Sequence, residues 1–144
     1  MATSFQVTFD CADPDRLARF WATVLGYRLP DPPDGFATWE DFLRERGVPE
    51  DQWNAASALE DPAGVGPRIY FQRVPEGMVV KNRVHLDVNV GGGRRIPLED
   101  RKVRVDAEVI RVIEAGATKL APMSQNDEYW VVMQDPEGNE FCLQ

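Results

Sequence analysis

One histidine, two cysteines, a deficit of positive charge and the lack of any long apolar run each remove a class of protein from consideration. Two cysteines, Cys11 and Cys142, cannot make the disulfide framework of a small secreted domain, although a single bridge stays open. A membrane-spanning helix needs roughly 18 or more consecutive apolar residues, and no stretch approaches that length. The N-terminal Met1-Ala2-Thr3-Ser4-Phe5 has no basic region followed by an apolar one, so no secretory leader is expected and the location is expected to be cytoplasmic. Lys and Arg number 16 against 24 Asp and Glu, for a formal charge of -8. Affinity for a phosphate backbone rests on Lys and Arg, so nucleic acid is not expected as a partner.

What the chain does have is enough apolar residues for one ordinary core, 43% of its 144 residues, and a repeated turn. Asp61-Pro62-Ala63-Gly64 and Asp135-Pro136-Glu137-Gly138 each follow a short apolar run and precede one ending in Phe71-Gln72 or Phe141-Cys142. Pro and Gly supply the backbone angles of a tight turn, so each copy predicts a hairpin.

The elements around the hairpins repeat in order. Residues 5–10 alternate, placing Phe5, Val7 and Phe9 inward and Gln6, Thr8 and Asp10 outward. Asp13 as N-cap, Pro14 at the first helical position and apolar residues at Leu17, Phe20, Trp21, Val24 and Leu25 predict an amphipathic helix closed by Gly26. Tyr27-Arg28-Leu29 predicts a short strand. Residues 31–54 form an insertion, with a short helix capped by Thr38 and ended by Gly47, then a helical turn near Glu50 to Trp53. The first hairpin pairs Ala55 to Leu59 with Arg68 to Val74, with Ile69 and Phe71 inward and Tyr70 and Gln72 outward.

In the second half Val84, Leu86 and Val88 are expected inward, and His85, Asp87 and Asn89 outward. A helix with Val105, Val109, Val112 and Ile113 on one face ends at Gly116. Thr118-Lys119-Leu120 matches the short strand of the first half, and Tyr129 to Met133 pairs with Asn139 to Leu143. The expected class is α+β: two tandem βαβββ modules, about 4–74 and 83–144, in one domain, forming a curved mixed sheet around a pocket with helices outside.

This order, with Phe9-Asp10-Cys11-Ala12-Asp13, the Phe20-Trp21 to Leu25-Gly26 helix end and the closing 135–142 segment, resembles the vicinal oxygen chelate superfamily. Trp53 to Leu59 and Phe71 to Glu76 narrow the resemblance to actinobacterial glyoxalase-like domain proteins. The resemblance implies a homodimer and a pocket for a small organic ligand, as in members similar to bleomycin-resistance proteins. Metal-dependent members take one ligand from the first and one from the last strand of each half, which implies Gln6 and Gln72, then His85 and Cys142.

The glyoxalase I carboxylates are absent from those positions, and Glu140 is the nearest substitute. Zinc accepts His and Cys but gains little from two neutral amides, and a glyoxalase I reaction lacks its metal-bound base. Ligand binding without a cofactor is therefore expected, through Gln6, Gln72, His85, Tyr70, Trp39, Trp53 and Trp130, with Tyr129 a further aromatic candidate. The alternative is a lyase, isomerase or dioxygenase with Zn, Ni or Fe on His85, Gln6 and either Cys142 or Glu140. His85 and Cys142 are the candidate catalytic pair, because an imidazole can activate a thiol. Gly91-Gly92-Gly93-Arg94-Arg95 lacks the spacing of a phosphate loop and is expected to be a connector, and residues 99–102 a solvated helix start.

Overall fold

The N-terminal alternation builds strand β1, Val7–Cys11, with Val7, Phe9 and Cys11 on its inward side. Phe5, expected on that side, precedes the strand and is 70% exposed. Alternation buries a side chain only where a paired strand holds the register, and pairing begins at Val7 opposite Ile69. These coordinates are a computed structural model describing residues 1–144. The chain divides into two compact units, Met1–Gly77 and Met78–Gln144.

In the first unit helix α1, Pro14–Leu25, begins as its signals predict: the Asp13 carboxylate accepts from the Arg16 N–H at 3.2 Å. Asn54 ties the same helix end down, donating to Asp13 and accepting from the Asp15 N–H, both at 2.8 Å. The buried stripe of α1 includes Leu17, Phe20, Trp21 and Val24. Tyr27 to Leu29 does not form the expected strand; only a single bridge from Arg28 to Glu60 survives before the prolines that follow. In the insertion, α2 (Trp39–Glu45) is capped by Thr38, and a 3₁₀ turn covers Glu50–Gln52. Strands β2 (Ala56–Leu59) and β3 (Ile69–Arg73) complete a mixed sheet in the order β1-β3-β2.

The second unit comprises β4 (Asp87–Val88), α3 (Leu98–Glu114), β5 (Thr118–Gln125), β6 (Glu128–Gln134) and β7 (Glu140–Leu143), with sheet order β4-β7-β6-β5. Strand β4 is shorter than the 84–89 alternation predicts, and Val84 is 82% exposed instead of inward. The cause is Asn82, whose side-chain amide accepts from the Glu140 N–H at 2.7 Å and donates to the Glu140 carbonyl at 3.0 Å. One side chain thus satisfies the backbone groups that a longer β4 would have paired. Strand β5 is longer than predicted because Asn126 and Asp127, with φ of 50° and 58°, make a tight hairpin turn that pairs it along β6. On α3 the buried stripe is Val105, Val109 and Val112; Ile113 falls off it and is 43% exposed. Arg101, expected in the solvated helix start, is only 13% exposed and donates to Glu128, the Asp127 carbonyl and the Ile96 carbonyl.

The two repeated turns share one device. Asp61 accepts from the N–H groups of Ala63, Val65 and Gly66 at 2.7–3.1 Å, and Asp135 from those of Glu137 and Asn139 at 2.9 Å. Gly64 and Gly138 close the turns at φ 68° and 85°, a region costly for any residue with a Cβ.

Candidate functional site

The open face of the second sheet follows from strand alternation. Val131 and Met133 on β6, and Phe141 and Leu143 on β7, are buried, and α3 packs against both strands. Their neighbours Trp130, Glu140 and Cys142 therefore project from the other face. Parallel pairing sets Asp87 on β4 level with Cys142 on β7, and His85, two residues earlier, shares their side. A cavity of about 530 Å³ opens there, with His85, Asp87, Asn89, Trp130, Cys142 and Gln144 among its lining residues.

Three kinds of donor atom converge at one end of it. The His85 Nε2 lies 3.3 Å from the Asp87 Oδ1, and the Cys142 Sγ joins them so that all three lie within 4.8 Å of one another. His85 and Asp87 are each about half exposed, at 45% and 47%, whereas Cys142 is 9% exposed. Burial first, then the Asp87 charge and a hydrogen bond from the thiol to that carboxylate, push the Cys142 thiol up to about 11. At neutral pH the sulfur therefore carries its proton, which disfavours the expected role of an imidazole-activated nucleophile.

The same shift predicts alkaline sensitivity. The ordinary thiol value is 9.0; between that pH and about 11 the unfolded chain loses the proton while the folded chain keeps it, so stability falls as pH rises. The full effect is about 2–3 kcal/mol. Urea midpoints measured from pH 8 to 10.5 should decline in the wild type and decline less in Cys142→Ser; equal slopes would contradict the assignment. Tyr129, also held up, to about 12, by burial and by its hydrogen bond to Asp106, adds a loss in the same direction that starts higher.

The carboxylate beside His85 and Cys142 is Asp87, which the sequence reading did not name as a ligand. Its signal was present as His85-x-Asp87 on one alternating face. Glu140, the expected substitute, is paired instead with Lys81 at 2.9 Å. Gln6 precedes β1 and accepts from the Arg68 guanidinium at 2.6 Å, while Gln72 donates to Asp10 at 2.6 Å. Thr8 pairs with Tyr70 and Asp10 with Gln72, so Gln6 and Gln72 stand four positions apart along the paired strands, about 13 Å, and are not brought together.

Strand register also corrects the match between the halves. Ala58 pairs with Tyr70, Val132 pairs with Cys142, and each first member stands three residues before the Asp of its turn. Tyr70 is therefore the counterpart of Cys142. Gln72 corresponds to Gln144, and the interaction repeats: Gln144 donates to Asn89 at 3.0 Å as Gln72 donates to Asp10. By the same count Gln6 corresponds to His85 and Thr8 to Asp87. The first turn-to-strand loop carries extra residues, and only pairing decides how many of them the strand absorbs.

The remaining aromatics separate. Trp130 lines the cavity. Trp39 donates to the Pro30 carbonyl and stands edge-on to Phe42, while Trp53 donates to the Val48 carbonyl with the Arg44 guanidinium 5.3 Å over its ring. Both serve the insertion's own small cluster. Tyr70 carries Arg68 over its ring at 5.4 Å.

Two α+β units, each with a mixed sheet and a helix after its first strand, define the class: this is the vicinal oxygen chelate fold. The chain belongs to the Glyoxalase-like domain family, whose model matches residues 6–144. Among solved structures, a glyoxalase/bleomycin resistance protein/dioxygenase family enzyme from Burkholderia phytofirmans PsJN is 20% identical, with a TM-score of 0.60 over 96% of this chain and 94% of that one. The fosfomycin resistance protein FosX from Mesorhizobium loti is 12% identical, with a TM-score of 0.61 over 99% and 91%. FosX from Listeria monocytogenes, solved with Mn(II) and 1S,2S-dihydroxypropylphosphonic acid, is 11% identical, with a TM-score of 0.61 over 100% and 92%. At these identities the likeness concerns the fold. No curated protein matches the chain. No helix is long and apolar enough to cross a membrane.

Proposed function

We propose that this glyoxalase-like protein binds a compact polar organic molecule on the open sheet face of its second unit, through its own side chains. The observation that supports this reading is the cavity of about 530 Å³ in which the Trp130 ring and the polar groups of His85, Asp87, Asn89 and Gln144 meet. Small-molecule sites commonly have this size and combine an aromatic wall with a few convergent polar groups. Toward the other end, Glu128 is held between Arg94 and Arg101 at 2.8 and 2.9 Å, a rim that keeps one positive charge in excess and would favour a polar or anionic group on the ligand. A sequestering role, like that of the bleomycin-resistance group, fits such a site. Glyoxalase I chemistry does not, because a protonated Cys142 stands where the catalytic base would have to be. A homodimer is part of the proposal, and sedimentation equilibrium measures it.

The experiment is a fragment screen on chelator-treated protein, read by tryptophan fluorescence and ligand-observed NMR. Fragments are expected to bind with affinity that drops about tenfold or more in Trp130→Ala, the loss of one well-packed aromatic contact, and persists in Trp39→Ala. Fragments that bind Trp130→Ala as well as the wild type, or the absence of any binder, would refute it.

The superfamily also implies a divalent ion. The donor set in the second unit fits one chemically: His85, Asp87 and Cys142 would hold it, and a bound ion would supply Lewis-acid polarisation of a ligand oxygen.

A further inference from the structure

We propose that His85, Asp87 and Cys142 form a site for a zinc-class divalent ion lying wholly within the second unit. Geometry is the first support. A tetrahedral ion with bonds of zinc length keeps its ligands about 3.3–3.8 Å apart. The His85 and Asp87 donors already stand 3.3 Å apart, and the whole set lies within 4.8 Å. The half-exposed His85 and Asp87 side chains have room to close the difference by small rotations.

Donor chemistry selects the ion. One imidazole nitrogen, one carboxylate oxygen and one thiolate sulfur suit zinc or cobalt, whereas manganese, magnesium and calcium favour oxygen. The selectivity therefore differs from that of an oxygen-rich Mn(II) site. Binding breaks the Cys142 S–H bond, forms a sulfur–metal bond and releases the proton to solvent. Asp87 and the Cys142 thiolate then offset the two positive charges of the ion. Three protein ligands leave the fourth position facing the cavity, the arrangement of zinc sites that take a further ligand.

The rival ligands are engaged elsewhere. Glu140 pairs with Lys81, Gln6 with Arg68, and Gln72 with Asp10. In the first unit the counterparts of Asp87 and Cys142 are Thr8 and Tyr70, so the halves are not equivalent as donors. Asp87 supplies the carboxylate that position 142 of the last strand lacks.

The test is a titration of chelator-stripped, full-length protein with Co²⁺. One equivalent is expected to bind, with a thiolate-to-cobalt charge-transfer band and the visible spectrum of a tetrahedral ion, both erased by Zn²⁺. Cys142→Ser should abolish the charge-transfer band, and His85→Ala and Asp87→Ala should each weaken binding tenfold or more. Gln6→Ala and Glu140→Gln should bind within twofold of the wild type. Because a variant can lose binding by misfolding, thermal midpoints are measured alongside. Zn²⁺ should raise the wild-type midpoint and raise that of Asp87→Ala by less at the same concentration, with the metal-free midpoints of the two alike. Absence of saturable binding, an affinity in Asp87→Ala within twofold of the wild type, or a loss in Gln6→Ala equal to that in His85→Ala would overturn the proposal. The site shares a face with the proposed ligand cavity but does not depend on it. The cobalt titration contains no organic ligand and the fragment screen contains chelator, so either reading can fail alone.

Discussion

Asp135→Ala is expected to cost about 3–4 kcal/mol, because the part-buried backbone donors around a buried carboxylate lose their acceptor together and each unsatisfied group costs about 1–3 kcal/mol. Asp135 is 3% exposed, the one charged residue in the buried core. Its carboxylate holds the Glu137 and Asn139 N–H groups at 2.9 Å and the Asn139 side-chain amide at 2.8 Å. Asp135→Asn keeps the oxygen that serves both N–H groups, loses only the bond from the Asn139 side-chain amide, and should cost less. Asp61 does the same work in the first turn, where three backbone N–H groups hold its carboxyl below the usual range. It stands closer to solvent, so water can replace the lost acceptor and Asp61→Ala should be milder than Asp135→Ala. Urea unfolding of the three variants measures this, and an Asp135→Ala loss no larger than that of Asp61→Ala would contradict it.

Trp21→Ala should cost about 3–5 kcal/mol, the range for truncating a fully buried aromatic residue. Trp21 is 1% exposed on α1, and its ring lies 5.4 Å from that of Phe9 on β1 and 5.5 Å from that of Phe20. Its removal takes away the ring contact between α1 and β1 and leaves a cavity that the close-packed core around it cannot fill without moving. Ordinary domains are stable by only about 5–15 kcal/mol, so the variant should unfold several molar units of urea earlier or populate unfolded chain without denaturant. Trp39→Ala is the control: at 38% exposure, within the insertion's own cluster, it should cost about 1 kcal/mol or less. Equal losses at the two tryptophans would show that α1 does not depend on this packing.

Much of this architecture is legible without coordinates because it is local. The Asp13 and Thr38 caps, the α1 stripe and the two Asp-Pro-x-Gly turns each depend on residues within a few positions of one another. Alternation likewise set His85, Asp87 and Asn89 on one face. Where elements depend on distant partners, similar sequences diverge. Tyr27 to Leu29 and Thr118 to Leu120 occupy matching places in the repeat, yet one makes a single bridge and the other opens an eight-residue strand. The difference lies in the Asn126-Asp127 turn, which folds β6 back along the whole of β5.

The sequence by itself determined the repeated order of strand, helix and hairpin, the helices and their caps, and which side chains alternate together, since spacing and backbone preference act over a few residues. Only the tertiary structure decided the register. It paired Asp87 with Cys142 across two strands remote in sequence, matched Tyr70 rather than Gln72 to Cys142, and drew Glu140 away to Lys81. Register depends on loop lengths and on competitors such as Asn82 for the same backbone groups, and a one-position slip reverses every side chain on a strand. The candidate site is a product of that register: its residues were visible in the sequence, and their meeting was not.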